Sequence, residues 1–152
     1  MERFLRHCAI EIFNDEYLAS PLAFRGGAKK EFKVNSRWYS GACQITTYQL
    51  DELLGTKLRA LYQRRKERDL FDLYKALNNT DVSTGNIIKC YREYMDFVTA
   101  KPPTQKEFLL NMEAKIVDEE FLGDTKSLLR RDEIYNPKVA YELVKASLIE
   151  KL

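Results

Sequence analysis

Two hydrophobic rhythms divide the chain. Up to about residue 46, apolar positions come in short runs broken by turn residues. His7-Cys8-Ala9-Ile10-Glu11-Ile12-Phe13 is closed by Asn14-Asp15-Glu16. Leu22-Ala23-Phe24 and Phe32-Lys33-Val34 flank Arg25-Gly26-Gly27-Ala28, and Gly41-Ala42-Cys43-Gln44-Ile45 follows. Two glycines permit positive φ, so the flanking runs are expected to pair as a hairpin with a long loop, with 41–45 as a further short strand. From Thr46 the spacing becomes helical. Thr46 or Thr47 reads as an N-cap, and Thr46 with Gln49 fits a capping box. Leu50, Leu53, Leu54, Leu58, Leu61 and Tyr62 then recur on one face. Further helical segments are read over 69–77 and 86–98, the latter stopped by Pro102-Pro103. Another opens at the Thr104/Glu107 capping box and runs through Ile116, and a shorter one is expected within 118–131. Asn136-Pro137 starts the last helix, expected to bury Val139, Ala140, Leu143, Val144 and Leu148. The pattern predicts an α+β fold, with a small, mostly antiparallel sheet in 1–46 packed on roughly four to six helices in 47–152.

Lys57 breaks the pattern. At about 100° per residue it lies within about 60° of Leu50, Leu53, Leu54 and Leu61, in the middle of the apolar stripe. If the helix continues past Gln63, Arg64, Arg68 and Asp72 join Lys57 on the inward face, with Asp69 at its border, while Arg59 and Lys66 point to solvent. A buried charge costs several kcal/mol unless it is paired or binds something. Two readings stay open. Lys57 snorkels to the surface while Arg64 or Arg68 pairs with Asp69 or Asp72 to lock helices together. Alternatively the cluster receives an anionic ligand such as a nucleoside triphosphate.

Composition narrows the field. With 152 residues, 45% hydrophobic and 32% charged, the chain is long enough for a real core and ordinary for a globular protein. No apolar run reaches membrane-spanning length and the N-terminus is too charged for a secretory signal, so a cytoplasmic location is expected. Cys8, Cys43 and Cys90 are too scattered for a disulfide framework, and with His7 the one histidine, a structural zinc site is excluded. Net charge is +2, yet residues 57–68 hold six basic residues and one acidic. Such a cluster suits phosphate or RNA, or is a solvated helix face.

The run LDELLGTKLRALYQRRKERDLFDLY, residues 50–74, resembles the signature of the AbiEii/AbiGii-type nucleotidyltransferase toxins, a helix of "ELLATKLRALYQR" character running into "KxRDLFDL". Ile10-Glu11-Ile12 with Asn14 is similar to the family's upstream "KIEIN" strand. The resemblance implies a partial nucleotidyltransferase-like fold with a helical C-terminal lobe. It also implies a toxin of a type IV toxin–antitoxin or abortive-infection system, with a winged-helix antitoxin as partner. Related toxins transfer nucleotides from a nucleoside triphosphate, some onto tRNA acceptor ends, with Mg²⁺. Carried over, Lys57 matches the motif lysine that contacts the triphosphate. Arg68, Asp69 and Asp72 match "RDxxD", with Asp72 in a catalytic role, and Arg64 joins the nucleotide-binding set. Glu11 falls at the third acidic, metal-binding position of the fold.

The family's Gly-rich helix start and paired "DxD" strand precede the "KIEIN" strand and are missing from this sequence. Arg25-Gly26-Gly27-Ala28 does not replace the first, because it follows Glu11 and no Asp-x-Asp comes after it. Two-metal phosphoryl transfer needs several carboxylates, and Glu11 alone cannot hold two ions. The expectation is a truncated or split nucleotidyltransferase, inactive alone, that exposes a sheet edge to a homodimer mate or to the missing half. The competing expectations are a non-catalytic nucleic-acid-binding module and a protein-interaction module.

Overall fold

The computed structural model describes residues 28–99, 101–130 and 133–152. The chain divides into one unit ending at Leu50 and a second comprising Asp51–Leu152. In the first, β1 (Ala28–Asn35) and β2 (Ser40–Thr47) form a two-stranded antiparallel hairpin, in register from Asn35 opposite Ser40 to Ala28 opposite Thr47. Phe32-Lys33-Val34 thus closes on Gly41-Ala42-Cys43, the run expected only as an added strand. Leu22-Ala23-Phe24, its expected mate, lies outside the described residues.

The connection is Ser36-Arg37-Trp38-Tyr39. The Ser36 hydroxyl accepts from the backbone N–H of Tyr39 at 3.1 Å and donates to the Tyr39 carbonyl at 3.0 Å, a side chain standing in for turn backbone. Alternation along the paired strands puts Phe32, Val34, Cys43 and Ile45 on one side, with Lys30 among them. Lys29, Glu31, Lys33, Gln44 and Thr46 fall on the other.

The second unit holds α1 (Leu50–Gln63), α2 (Glu67–Asn79), α3 (Thr84–Val98), α4 (Gln105–Lys115), α5 (Glu119–Gly123) and α6 (Pro137–Ser147), followed by a 3₁₀ turn at Ile149–Lys151. The architecture is α+β. Local signals that need only neighbouring residues are realised. Thr104 and Glu107 form the reciprocal capping box of α4, and Asn136 accepts from the N–H groups of Lys138 and Val139 ahead of α6, with Pro137 in the first turn. Two expectations are corrected, on the start of α1 and on Val139, and one is met. Thr46 and Thr47 do not cap α1, because their backbones are committed to the ladder with Lys29 and Ala28, so the helix opens at Leu50. The helix within 118–131 is short, as expected, and ends at Gly123 in a run of turns. Val139 is exposed, whereas Ala140, Val144 and Leu148 are fully buried.

α1 is the central element, buried on nearly all sides from Glu52 to Leu61. Leu54, Leu58 and Leu61 meet a core completed by Leu70 and Leu73 of α2, Ile87 and Met95 of α3, and Phe108 and Met112 of α4. Phe108 links two helices through ring contacts, 5.2 Å from Tyr62 and 6.1 Å from Tyr91 between centroids. Gly55 allows α3 to approach α1 closely. A Cβ there would stand 2.7 Å from the Cys90 Cβ and 3.0 Å from the Tyr91 backbone nitrogen.

The last turn of α1 carries no basic residue of its own. Lys115, at the end of α4, supplies one. Its buried ammonium donates to the carbonyls of Leu61 at 2.5 Å and Tyr62 at 2.8 Å, pairing otherwise orphaned groups at the negative end of the helix. Burial, with Arg65 nearby, lowers the Lys115 pKa to about 8. Among the described residues no helix is long and apolar enough to cross a membrane.

Gly55→Ala tests the α1–α3 approach. Alanine gains about 1 kcal/mol of helix propensity in an isolated helix. The clash with Cys90 and the Tyr91 backbone reverses that, and urea unfolding is expected to show a net loss of about 1–3 kcal/mol. A more stable variant would mean that the helices are not in contact there.

Candidate functional site: an ion cluster joining two helices

The helix does not continue past Gln63. Residues 64–66 leave helical geometry and α2 restarts at Glu67, so a wheel drawn through both helices fails. The cluster forms nonetheless. The Lys57 ammonium, buried among leucines, sits 2.9 Å from Asp72 Oδ2 and 3.4 Å from Asp69 Oδ1. Arg64 Nε and Nη2 each donate to an oxygen of Asp69 at 2.8 Å, the two-pronged geometry that makes arginine–carboxylate pairs strong. Asp69 is sealed from solvent, while the Arg64 side chain stays 39% exposed. Among the described residues, two cations and two carboxylates thus form one group, of which the Arg64 guanidinium is the most exposed member. Asp69 also lies in the first turn of α2, where the helix dipole favours negative charge.

Arg68 also meets a carboxylate from outside these two helices. Its Nε is 3.9 Å from Asp124 Oδ2, and Asp124 also takes the Lys66 ammonium at 3.2 Å. Arg65 reaches Asp118 at 3.0 Å. Arg59, expected in solvent, is buried, with its guanidinium 6.0 Å from the centroid of the Tyr94 ring. Tyr94, from α3, covers that side of α1 and donates its hydroxyl to buried Glu52 at 3.0 Å. Glu11 lies outside the described residues.

Beside the cluster stands a second buried carboxylate, Glu67, that sequence reasoning passed over. Its Oε2 accepts from the Thr125 hydroxyl at 2.6 Å and the Thr125 N–H at 3.3 Å. Burial raises its pKa, with the Thr125 bonds opposing in part. The Tyr135 ring packs edge-on against Phe71 at 5.0 Å. Burial, then the nearby charges of Glu67 and Asp72, push the Tyr135 phenol pKa upward. Thr125, Tyr135, Asp118 and Asp124 are distant in sequence and carry no local signal. Lys115 did carry one, since with Phe108 and Met112 it continues an apolar stripe just as Lys57 does.

Mg²⁺ needs free oxygen ligands, and both oxygens of Asp69 and Oδ2 of Asp72 are engaged by Lys57 and Arg64. Among the described residues no group of three or more His, Cys, Asp or Glu side chains is placed to hold a metal ion.

Asp69→Ala removes a partner from two cations, one of them buried, and is expected to cost about 3–5 kcal/mol in urea unfolding, against under about 1 kcal/mol for Arg65→Ala at the exposed pair. Similar losses would remove Asp69 from its central place. Glu67 adds a pH test. Its folded pKa lies above the unfolded value, so its contribution to stability is present at low pH and is lost as pH rises through the folded pKa. Glu67→Gln mimics the protonated form. Thermal unfolding should find it more stable than the parent at pH 8, with the gap closing towards pH 4; a constant gap would exclude ionisation as the cause.

The family described as nucleotidyl transferase AbiEii toxin of type IV toxin–antitoxin systems matches residues 11–141. No curated protein and no solved structure matches the chain. The matched span takes in both helices of the ion cluster, the Glu67–Thr125 contact and the start of α6. On that span the chain belongs to the AbiEii family of nucleotidyltransferase toxins.

Proposed function

We propose that this protein is a nucleotidyltransferase-like toxin whose helical unit binds the triphosphate of a nucleoside triphosphate but does not by itself transfer the nucleotide. One observation carries the reading. Lys57, Arg64, Asp69 and Asp72, drawn from two helices and the link between them, converge on one cluster in which the Arg64 guanidinium is partly exposed. Asp69 and Asp72 act there as positioning residues. They hold Lys57 and Arg64 in fixed geometry, and Arg68, next to Asp69 at the start of α2, is a further contact for phosphate oxygens. The family's reaction draws on a nucleoside triphosphate and Mg²⁺. The α2 carboxylates are committed to cations, so ion-binding carboxylates would come from elsewhere, Glu11 among them.

The family's system includes an antitoxin. We take that partner to be a winged-helix protein, the nucleotide acceptor to be a tRNA end, and the location to be the cytoplasm. A homodimer mate or a separate catalytic half would complete the site. A second reading is favoured by the pairing of Arg65, Lys66 and Arg68 with Asp118 and Asp124, in which the basic stretch only braces the helices.

Calorimetric titration of the full chain with a nucleoside triphosphate at low salt separates the two. Arg64→Ala and Arg68→Ala are each expected to weaken binding about tenfold or more, as for a lost hydrogen bond to a charged group. Lys89→Ala, exposed on α3, should leave it within about twofold. Equal losses from all three would indicate diffuse surface charge, and no binding by the parent would leave the bracing role alone. Incorporation of labelled nucleotide into RNA by this chain alone would overturn the claim of inactivity.

A further inference from the structure

The β1–β2 hairpin carries a surface that the triphosphate reading does not use. Trp38 is 86% exposed and Tyr39 65% exposed, both in the turn. Large rings left in water on a loop tip ordinarily mark a contact surface. The turn holds Tyr39 in a fixed place. Ser36 Oγ ties down the Tyr39 backbone at both its N–H and its carbonyl, and the Ser40 hydroxyl donates to Asn35 Oδ1 at 2.7 Å across the neck. Gly41 makes room for Tyr39. A Cβ there would lie 2.5 Å from the phenol oxygen and 2.8 Å from Cζ, so the phenol end of the side chain lies against the glycine.

Charge gives the surface its specificity. The Arg37 guanidinium is 5.2 Å from the centroid of the Trp38 ring. Lys29 and Lys33 project from one side of β1 and Lys30 from the other, all exposed. Glu31, 3.0 Å from Lys33, is the one acidic residue of the hairpin. The turn itself holds no aliphatic side chain, unlike a tip built for lipid or for an apolar protein groove.

We propose that this hairpin docks an unpaired nucleic-acid strand, whose bases stack on Trp38 and Tyr39 and whose phosphates meet Arg37, Lys29 and Lys33. Exposed aromatic rings beside a row of cations are what sequence-tolerant single-strand binding needs: every base has a π-face, and the cations follow the backbone. The site is separate from the ion cluster in residues and in chemistry, so it stands whether or not the helical unit binds a triphosphate.

Trp38 is the only tryptophan of the chain, so its fluorescence reports the contact directly. Titrating the full chain with single-stranded RNA and DNA oligonucleotides of about twelve nucleotides should quench or shift that emission. Anisotropy of the labelled oligonucleotide should show Trp38→Ala binding about 5- to 100-fold more weakly, with Trp38→Phe retaining most of the affinity. Lys29→Ala/Lys33→Ala should lower the slope of log affinity against log salt by about one. Binding of either strand with this dependence on Trp38 supports the proposal, and the RNA-to-DNA ratio identifies the sugar. Unchanged emission with both strands, or equal affinity after Trp38→Ala, overturns it.

Discussion

Asp69 is shut off from water with both oxygens in use, one held by Arg64 and the other by Arg64 and Lys57 together. Removing any member strands a charge in a low-dielectric interior, and that penalty exceeds what a surface pair is worth. The arrangement therefore sets the angle at which α2 leaves α1. Lys57 is fixed by the burial of the leucines around it, and Asp69 and Asp72 must come to meet it. The residues 64–66 follow from that meeting, since the chain has to leave helical geometry for Arg64 to reach back to Asp69. What joins two helices in most small domains is apolar packing alone; here a polar lock is set inside it.

The rest of the helical unit supports the same joint. Lys115 reaches from α4 to the final carbonyls of α1, and Asp124 reaches from beyond α5 to Lys66 and Arg68 at the start of α2. Glu67 is fastened to Thr125 on the same side. Elements far apart in sequence thus converge on one short link. That convergence gives the family motif a structural meaning beside any role in binding phosphate: its charged residues set how the helices follow one another.

Some of this was legible in the sequence and some was not, for definite physical reasons. Capping at Thr104 and Asn136 depends on residues a few positions apart, so reading and structure agree. Lys57 was conspicuous because a charge amid leucines at helical spacing has few physical outcomes. The start of α1 was misplaced because Thr46 and Thr47 have good capping chemistry, and only pairing with β1 overrides it. Arg59 looked exposed on a wheel that knows nothing of Tyr94 arriving from another helix. Arg68 was grouped with Lys57 by extending one helix through a break, and its contact with Asp124 is one that no local pattern could supply. The family resemblance was the most visible feature, since it rests on an uninterrupted run, and the family match extends well beyond that run.

The link between α1 and α2 has one more consequence. Arg64, Arg65, Lys66 and Arg68 make it the stretch that a trypsin-like protease would favour most on sequence alone. Cleavage requires a segment to detach and lie extended in the enzyme's groove, yet Arg64 is clamped to Asp69, and Lys66 and Arg68 share Asp124. The carbonyls just before the link are held by Lys115. The same charges that invite digestion are therefore what postpones it, and the rate at which the chain is cut there measures how often the lock between the two helices opens.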